Sequence, residues 1–116
     1  MHDADQIQVN SEQHDGVVIV QPIGDIDLSR SPHLRQQLRE SLGEADERLV
    51  IDLSEVQYMD SSGVATLVET MQACRKAGKK LVLCDLQDRV RSIFEIARLD
   101  MVFTIVTDRD EAMSAS

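Results

Sequence analysis

Two hydrophobic periods alternate along this chain, and the alternation limits its fold more than any other feature. Short aliphatic runs occur at Val17-Val18-Ile19-Val20, Leu49-Val50-Ile51-Asp52-Leu53, Leu81-Val82-Leu83-Cys84 and Val102-Phe103-Thr104-Ile105-Val106. They predict strands, and their nearly continuous apolar character predicts a sheet covered on both faces. Between them, apolar residues recur every three or four positions. Leu34, Leu38 and Leu42 mark a first helix, opened by Pro32, capped by Ser29 or Ser31 and stopped by Gly43. Val64, Leu67, Val68, Met71 and Cys74 mark a second, which ends at Gly78 with Arg75 and Lys76 in its last turn, where positive charge suits the helix dipole. Val90, Ile93, Phe94 and Ala97 mark a third over about residues 87–98, and Asp108 caps a short fourth through Glu111 and Met113. A weaker strand through Ile7-Gln8-Val9 comes first, with polar residues 11–16 as a hairpin-like connection to a second strand that Pro22 closes. This order predicts an α/β fold with a mixed, mostly parallel sheet of four to five strands flanked by about four helices.

The 116 residues suit a single domain spanning 1–116, with its core at about 7–111 and short polar ends. No apolar run approaches the ~20 residues that cross a bilayer. The acidic start, Met1-His2-Asp3-Ala4-Asp5, does not read as a signal peptide, so a cytoplasmic location away from membranes is expected. The formal net charge of −9, with only Tyr58, Phe94 and Phe103 as aromatics, argues against nucleic acid as a partner. That charge is lopsided: residues 1–60 hold 13 acidic side chains and 4 arginines, whereas residues 61–116 balance 8 against 8. The first half therefore offers either a solvated surface or an acidic face for a basic partner. Cys74 and Cys84 lie in apolar segments, and His2, His14 and His33 are not grouped with them. Buried free thiols follow, and no metal or cofactor is expected.

In an open α/β sheet, ligands and chemistry collect beyond the C-terminal ends of the strands. Gly24-Asp25-Ile26-Asp27, Asp60-Ser61-Ser62-Gly63 and Cys84-Asp85 fall there. Helix capping alone accounts for one of residues 60–62, and on spacing it is the favoured reading. It does not account for two adjacent hydroxyls, since no Glu or Gln stands three places after either serine to make a capping box. Gly63 leaves backbone bare beside them, which suits close approach by another molecule. A nucleophilic serine is disfavoured, because Met59 and Asp60 stand where the G-x-S-x-G elbow needs its first glycine. No phosphate-binding glycine loop of the P-loop or dinucleotide type occurs. A receiver-like phosphoacceptor domain fits the length, but Asp25 and Asp27 are not adjacent, Asp52 lies within a strand run, and no Lys follows the last two strands.

Taken together, Gly24-Asp25-Ile26-Asp27, Leu49-Val50-Ile51-Asp52-Leu53-Ser54 and Tyr58-Met59-Asp60-Ser61-Ser62-Gly63 resemble the anti-sigma-factor antagonists of the STAS domain group, over about residues 7–111. The resemblance implies a regulatory binding protein, monomeric when free, and not an enzyme. Its implied partner is an anti-sigma factor that is also a serine kinase, and a metal-dependent serine phosphatase reverses the modification. The implied acceptor is Ser61, with Ser62 as second choice. The implied binding surface comprises Gly24, Asp25, Asp27, Asp60, Ser61, Ser62, Gly63 and Val64. Departures from the family pattern are Val64, where many members carry Leu, and Pro32 at the start of the first helix. STAS domains also serve in lipid-transport ABC complexes and in stressosome-type scaffolds, which are the alternative settings.

Overall fold

The computed structural model describes residues 5–115. Five strands, β1 (Gln8–His14), β2 (Val17–Ile23), β3 (Arg48–Asp52), β4 (Lys80–Cys84) and β5 (Thr104–Val106), form one sheet in chain order. β1 is antiparallel to β2, and the remaining pairs are parallel. Between them run the helices α1 (Ser31–Glu44), α2 (Ser61–Lys76) and α3 (Asp88–Ile96), and α4 (Arg109–Ser114) follows β5. The mixed, mostly parallel sheet with four helices is the architecture that the alternating periods predict.

The strand period of two sorts side chains between two cores. Val18, Val20, Leu49, Ile51, Leu81 and Leu83 point to the face covered by α1, α2 and α3, where they meet Leu34, Leu38, Leu67, Val90 and Phe94. Each such leucine, fully buried, contributes about 1.5–3 kcal/mol relative to exposure. Phe94 meets Phe103 edge-to-face with ring centroids 5.4 Å apart. The alternate residues Val17, Ile19, Val50, Val82 and Cys84 form a smaller core on the opposite face with Ala112 of α4. The strands therefore read as continuous apolar runs because both faces are covered.

Several boundaries differ from the sequence expectation. Residues 11–14 are not a connection, since β1 runs on to His14 and pairs with Val17 across a two-residue turn. Asp15 and Gly16 have φ values of 48° and 86°, both positive as the tight hairpin turn matching strand twist requires. β2 continues through Pro22, which pairs with Val9 but lies beyond the stretch bonded to β3, so its missing N–H leaves no gap on that side. Neither Ser29 nor Ser31 caps α1. Arg30 holds that position, its side chain making no capping bond to the first turn, and Ser31 is buried. Gly43 does not stop α1, which runs to Glu44 until buried Ala45 turns extended toward β3. The last strand begins at Thr104, because Val102 N–H and Phe103 N–H both donate to the Leu99 carbonyl and close a single 3-10 turn, Leu99–Met101. No helix among the described residues is long and apolar enough to cross a membrane.

Candidate functional site

Two loops leave adjacent parallel strands at their C-terminal ends and run side by side. Gly24, with φ of 112°, turns the chain out of β2, a left-handed conformation that a side chain disfavours. Its N–H donates to the Glu55 carbonyl at 3.0 Å, Ile26 N–H to the Tyr58 carbonyl at 3.0 Å, and Asp60 N–H to the Ile26 carbonyl at 3.1 Å. Ile26 and Met59 thereby form a parallel bridge and are both buried. The sheet is extended by one short rung, and α2 starts from its end.

Asp60 is the N-cap of α2 and the hub of the site. Its Oδ1 accepts from Ser62 N–H at 2.9 Å, Ser62 Oγ at 2.5 Å and Gly63 N–H at 3.3 Å. Its Oδ2 accepts from Leu28 N–H at 3.1 Å, which ties the two loops together. The Ser62 hydroxyl, followed by these backbone donors, holds the Asp60 carboxyl below its ordinary value of 3.8. Asp27 does similar work on the neighbouring loop. Its Oδ1 accepts from Ser29 Oγ at 2.9 Å and from the N–H groups of Ser29 and Arg30, both at 3.1 Å. The Ser29 hydroxyl leads in lowering its pKa. Asp25 is exposed, and its carbonyl accepts from Arg30 Nη1 at 3.3 Å.

The two serines, equal in sequence, are unequal here. The Ser62 hydroxyl is taken by Asp60 and is half-buried. Ser61, the first residue of α2, is exposed, and its side chain makes no hydrogen bond among the described residues. Val64, one turn into the helix, is half-buried and packs on the core. Gly63 departs from the expectation. It is buried and does not offer bare backbone to a ligand, because a Cβ there would lie 2.5 Å from Met59 Cγ and 2.8 Å from Ile26 Cγ2. Its missing side chain lets α2 sit down on the Ile26–Met59 bridge.

Cys84-Asp85, the third feature at this end, belongs to a separate constellation that sequence reasoning missed. Asp52 and Cys84 face one another across β3 and β4, and Asp85 brings its carboxylate within 4.8 Å of their donor atoms. Arg109 Nε donates to Asp52 Oδ2 at 2.6 Å, and Ser54 N–H donates to Oδ1 at 2.9 Å. Arg109 Nη1 reaches Glu12 of β1 at 2.9 Å. Burial first, then the neighbouring Asp52 and Asp85, push the Cys84 thiol well above its usual range. A protonated thiol beside a carboxylate already held by guanidinium is a poor ligand set for a metal. It suits the fastening of α4 beneath the sheet. Asp52, only 3% exposed and engaged in this pair, is likewise unavailable as a phosphoacceptor.

The STAS domain family model matches residues 8–112. The chain belongs to the STAS domain family. This STAS domain is 34% identical over 99 residues to an anti-sigma-B factor antagonist of Bacillus subtilis, a match covering 85% of this chain and 90% of that protein. Among solved structures, an anti-sigma factor antagonist from Mycobacterium paratuberculosis superposes with a TM-score of 0.86 at 30% identity, over 96% of this chain and 94% of that one. SpoIIAA of Bacillus in its phosphorylated form shares the fold, with a TM-score of 0.69 at 18% identity over 92% of this chain and 97% of that one. The family, and not the receiver-like alternative, accounts for the element order and the paired loops.

Proposed function

We propose that this STAS domain is an anti-sigma-factor antagonist, a binding protein and not an enzyme. In its bare form it binds an anti-sigma factor that is also a serine kinase, and so frees a sigma factor. Phosphorylation of Ser61 by that partner ends binding, and a metal-dependent serine phosphatase restores it. The single observation carrying this reading is the inequality of the serines: one hydroxyl is consumed by the helix cap, and the other is presented bare at the junction of two fixed loops. The binding face comprises exposed Asp25 and Ser61 and half-buried Asp27, Asp60 and Ser62, with Gly24 shaping the turn and Gly63 and Val64 supporting from beneath.

The chemistry of the switch is local. A phosphate on Ser61 adds about −1.5 to −2 charge. It arrives where Asp60 already accepts from the first-turn N–H groups of Ser62 and Gly63, so neutralisation by the helix terminus is partial. A partner surface fitted to a hydroxyl then meets bulk and like charge. Losing about 3 kcal/mol of binding is more than a hundredfold in affinity. The existence of this fold in a phosphorylated form supports a switch that leaves the backbone in place.

The test is capture from native lysate with Ser61→Ala and Ser61→Asp forms as baits, together with phosphopeptide mapping of the wild type. A kinase-type anti-sigma factor kept by Ser61→Ala and lost by Ser61→Asp, with phosphate on Ser61, is the expected result. A lipid-transport ATPase kept by both baits, or phosphate on Ser62 alone, overturns the reading.

A further inference from the structure

A charge on Ser61 can end binding only if something else supplies the affinity that it removes. The carboxylates and hydroxyls of the two loops exchange water for partner contacts and give specificity and encounter rate more than strength. Two large apolar side chains on these same loops are exposed: Leu28 at 74% and Tyr58 at 49%. Other exposed large hydrophobics, such as Ile96, Met101 and Met113, belong to α3, the 3-10 turn after it, and α4.

Leu28 and Tyr58 stand on backbone that is already fixed. Leu28 N–H is held by Asp60 Oδ2, and its neighbours on both sides are bound by the Asp27 carboxylate turn. The Tyr58 carbonyl accepts from Ile26 N–H, and the next residue, Met59, is locked in the parallel bridge. Backbone ordering has thus been met on folding, and anchors of this kind give up only side-chain freedom on association. Their surroundings are acidic. Residues 24–30 and 54–62 carry Asp25, Asp27, Glu55 and Asp60 against Arg30 alone.

We infer that Leu28 and Tyr58 are the affinity-bearing anchors of this surface, and that they seat in an apolar socket framed by basic side chains on the anti-sigma factor. The inference rests on the function proposed above and adds a division of labour. The apolar pair sets the lifetime of the complex, the carboxylates set the rate of encounter, and the Ser61 hydroxyl is the position from which both are cancelled. Asp60 fixes the spacing, because one of its oxygens holds the Leu28 backbone and the other holds the first turn that carries Ser61.

The experiment is surface plasmon resonance with the purified cognate anti-sigma factor, comparing wild type, Leu28→Ala, Tyr58→Ala and Ser61→Asp at low and high salt. Thermal unfolding of each variant is measured alongside. Leu28→Ala is expected to weaken binding about 30-fold through a faster off-rate. Tyr58→Ala is expected to weaken it about tenfold, with both melting temperatures near that of the wild type. Raising salt is expected to slow association of the wild type and of Leu28→Ala alike. If both alanine variants bind within threefold of wild type while Ser61→Asp does not bind, the anchors are wrong and the switch stands. If the wild type itself does not bind, both fall together.

Discussion

At the scale of single residues, Asp60 carries the most consequence. One carboxylate oxygen caps α2, and the other holds the backbone of the loop after β2. Its capping role is legible in the sequence, as an acidic residue directly before a helical stripe. Its second role is not, because Leu28 is 32 positions away. Gly63 is the opposite case. A glycine in a first turn suggests openness, but the constraint is Met59 and Ile26 beneath it, which no local pattern reveals. The lowered pKa of Asp60 gives a signed prediction. A carboxyl whose folded value lies below the unfolded one stabilises fully above the unfolded value of 3.8, and the stabilisation is lost as pH falls through the folded value. Asp60→Ala is therefore expected to cost about 1–2 kcal/mol at neutral pH. That difference should shrink as pH falls below 3.8 and through the lower folded value, as read by urea unfolding of both proteins across pH.

At the scale of elements, α4 is too short to hold itself in place. Its six residues bury only Ala112, and a helix of that length is marginal on its own. Polar fastening supplies the rest: Asp108 caps its start, Arg48 Nη1 donates to the Ala112 carbonyl at 2.5 Å, and Arg109 joins α4 to Asp52. The Asp52 side chain is 4% exposed and that of Arg109 is 35% exposed, so removing one is not equivalent to removing the other. Arg109→Ala leaves a buried carboxylate without its counter-ion, held only by Ser54 N–H, and is expected to cost about 3 kcal/mol. Asp52→Asn still accepts from Ser54 N–H and leaves a guanidinium that water can reach, so about 1 kcal/mol is expected by the same urea unfolding. Elements with a strong period were legible in the sequence, including α2 and the three inner strands. β1 beyond Val9 was not, because residues 10–14 are exposed and carry no alternation of apolar side chains. The hairpin connection itself was legible, but not its tightness: the strand ends only at the two-residue Asp15-Gly16 turn.

At the scale of the whole molecule, the two cores explain why both cysteines are silent. Cys74 lies in the core beneath α2 and Cys84 in the core above α4, each 0% exposed. Burial pushes the Cys74 thiol up to about 11 and the Cys84 thiol higher still. The thiolate is the reactive species, so alkylation must wait for opening of the fold. Iodoacetamide at pH 8 is expected to modify both cysteines at least about 100-fold more slowly in the native protein than in urea, followed by intact mass. The charge asymmetry also gains a location. The acidic half of the sequence builds both loops around Ser61, which places part of the excess beside the proposed acceptor.

The sheet order β1-β2-β3-β4-β5 is the order of synthesis. Each strand pairs with the one made just before it, so none has to be inserted between two already joined. Such a sheet can grow as the chain leaves the ribosome, with loop closures that stay short. The two loops of the proposed binding surface, and the helix that carries Ser61, all precede β4 and β5 in the chain. The proposed binding surface is therefore built wholly by elements on one side of the sheet, and the far edge adds to the core beneath it without entering the surface itself.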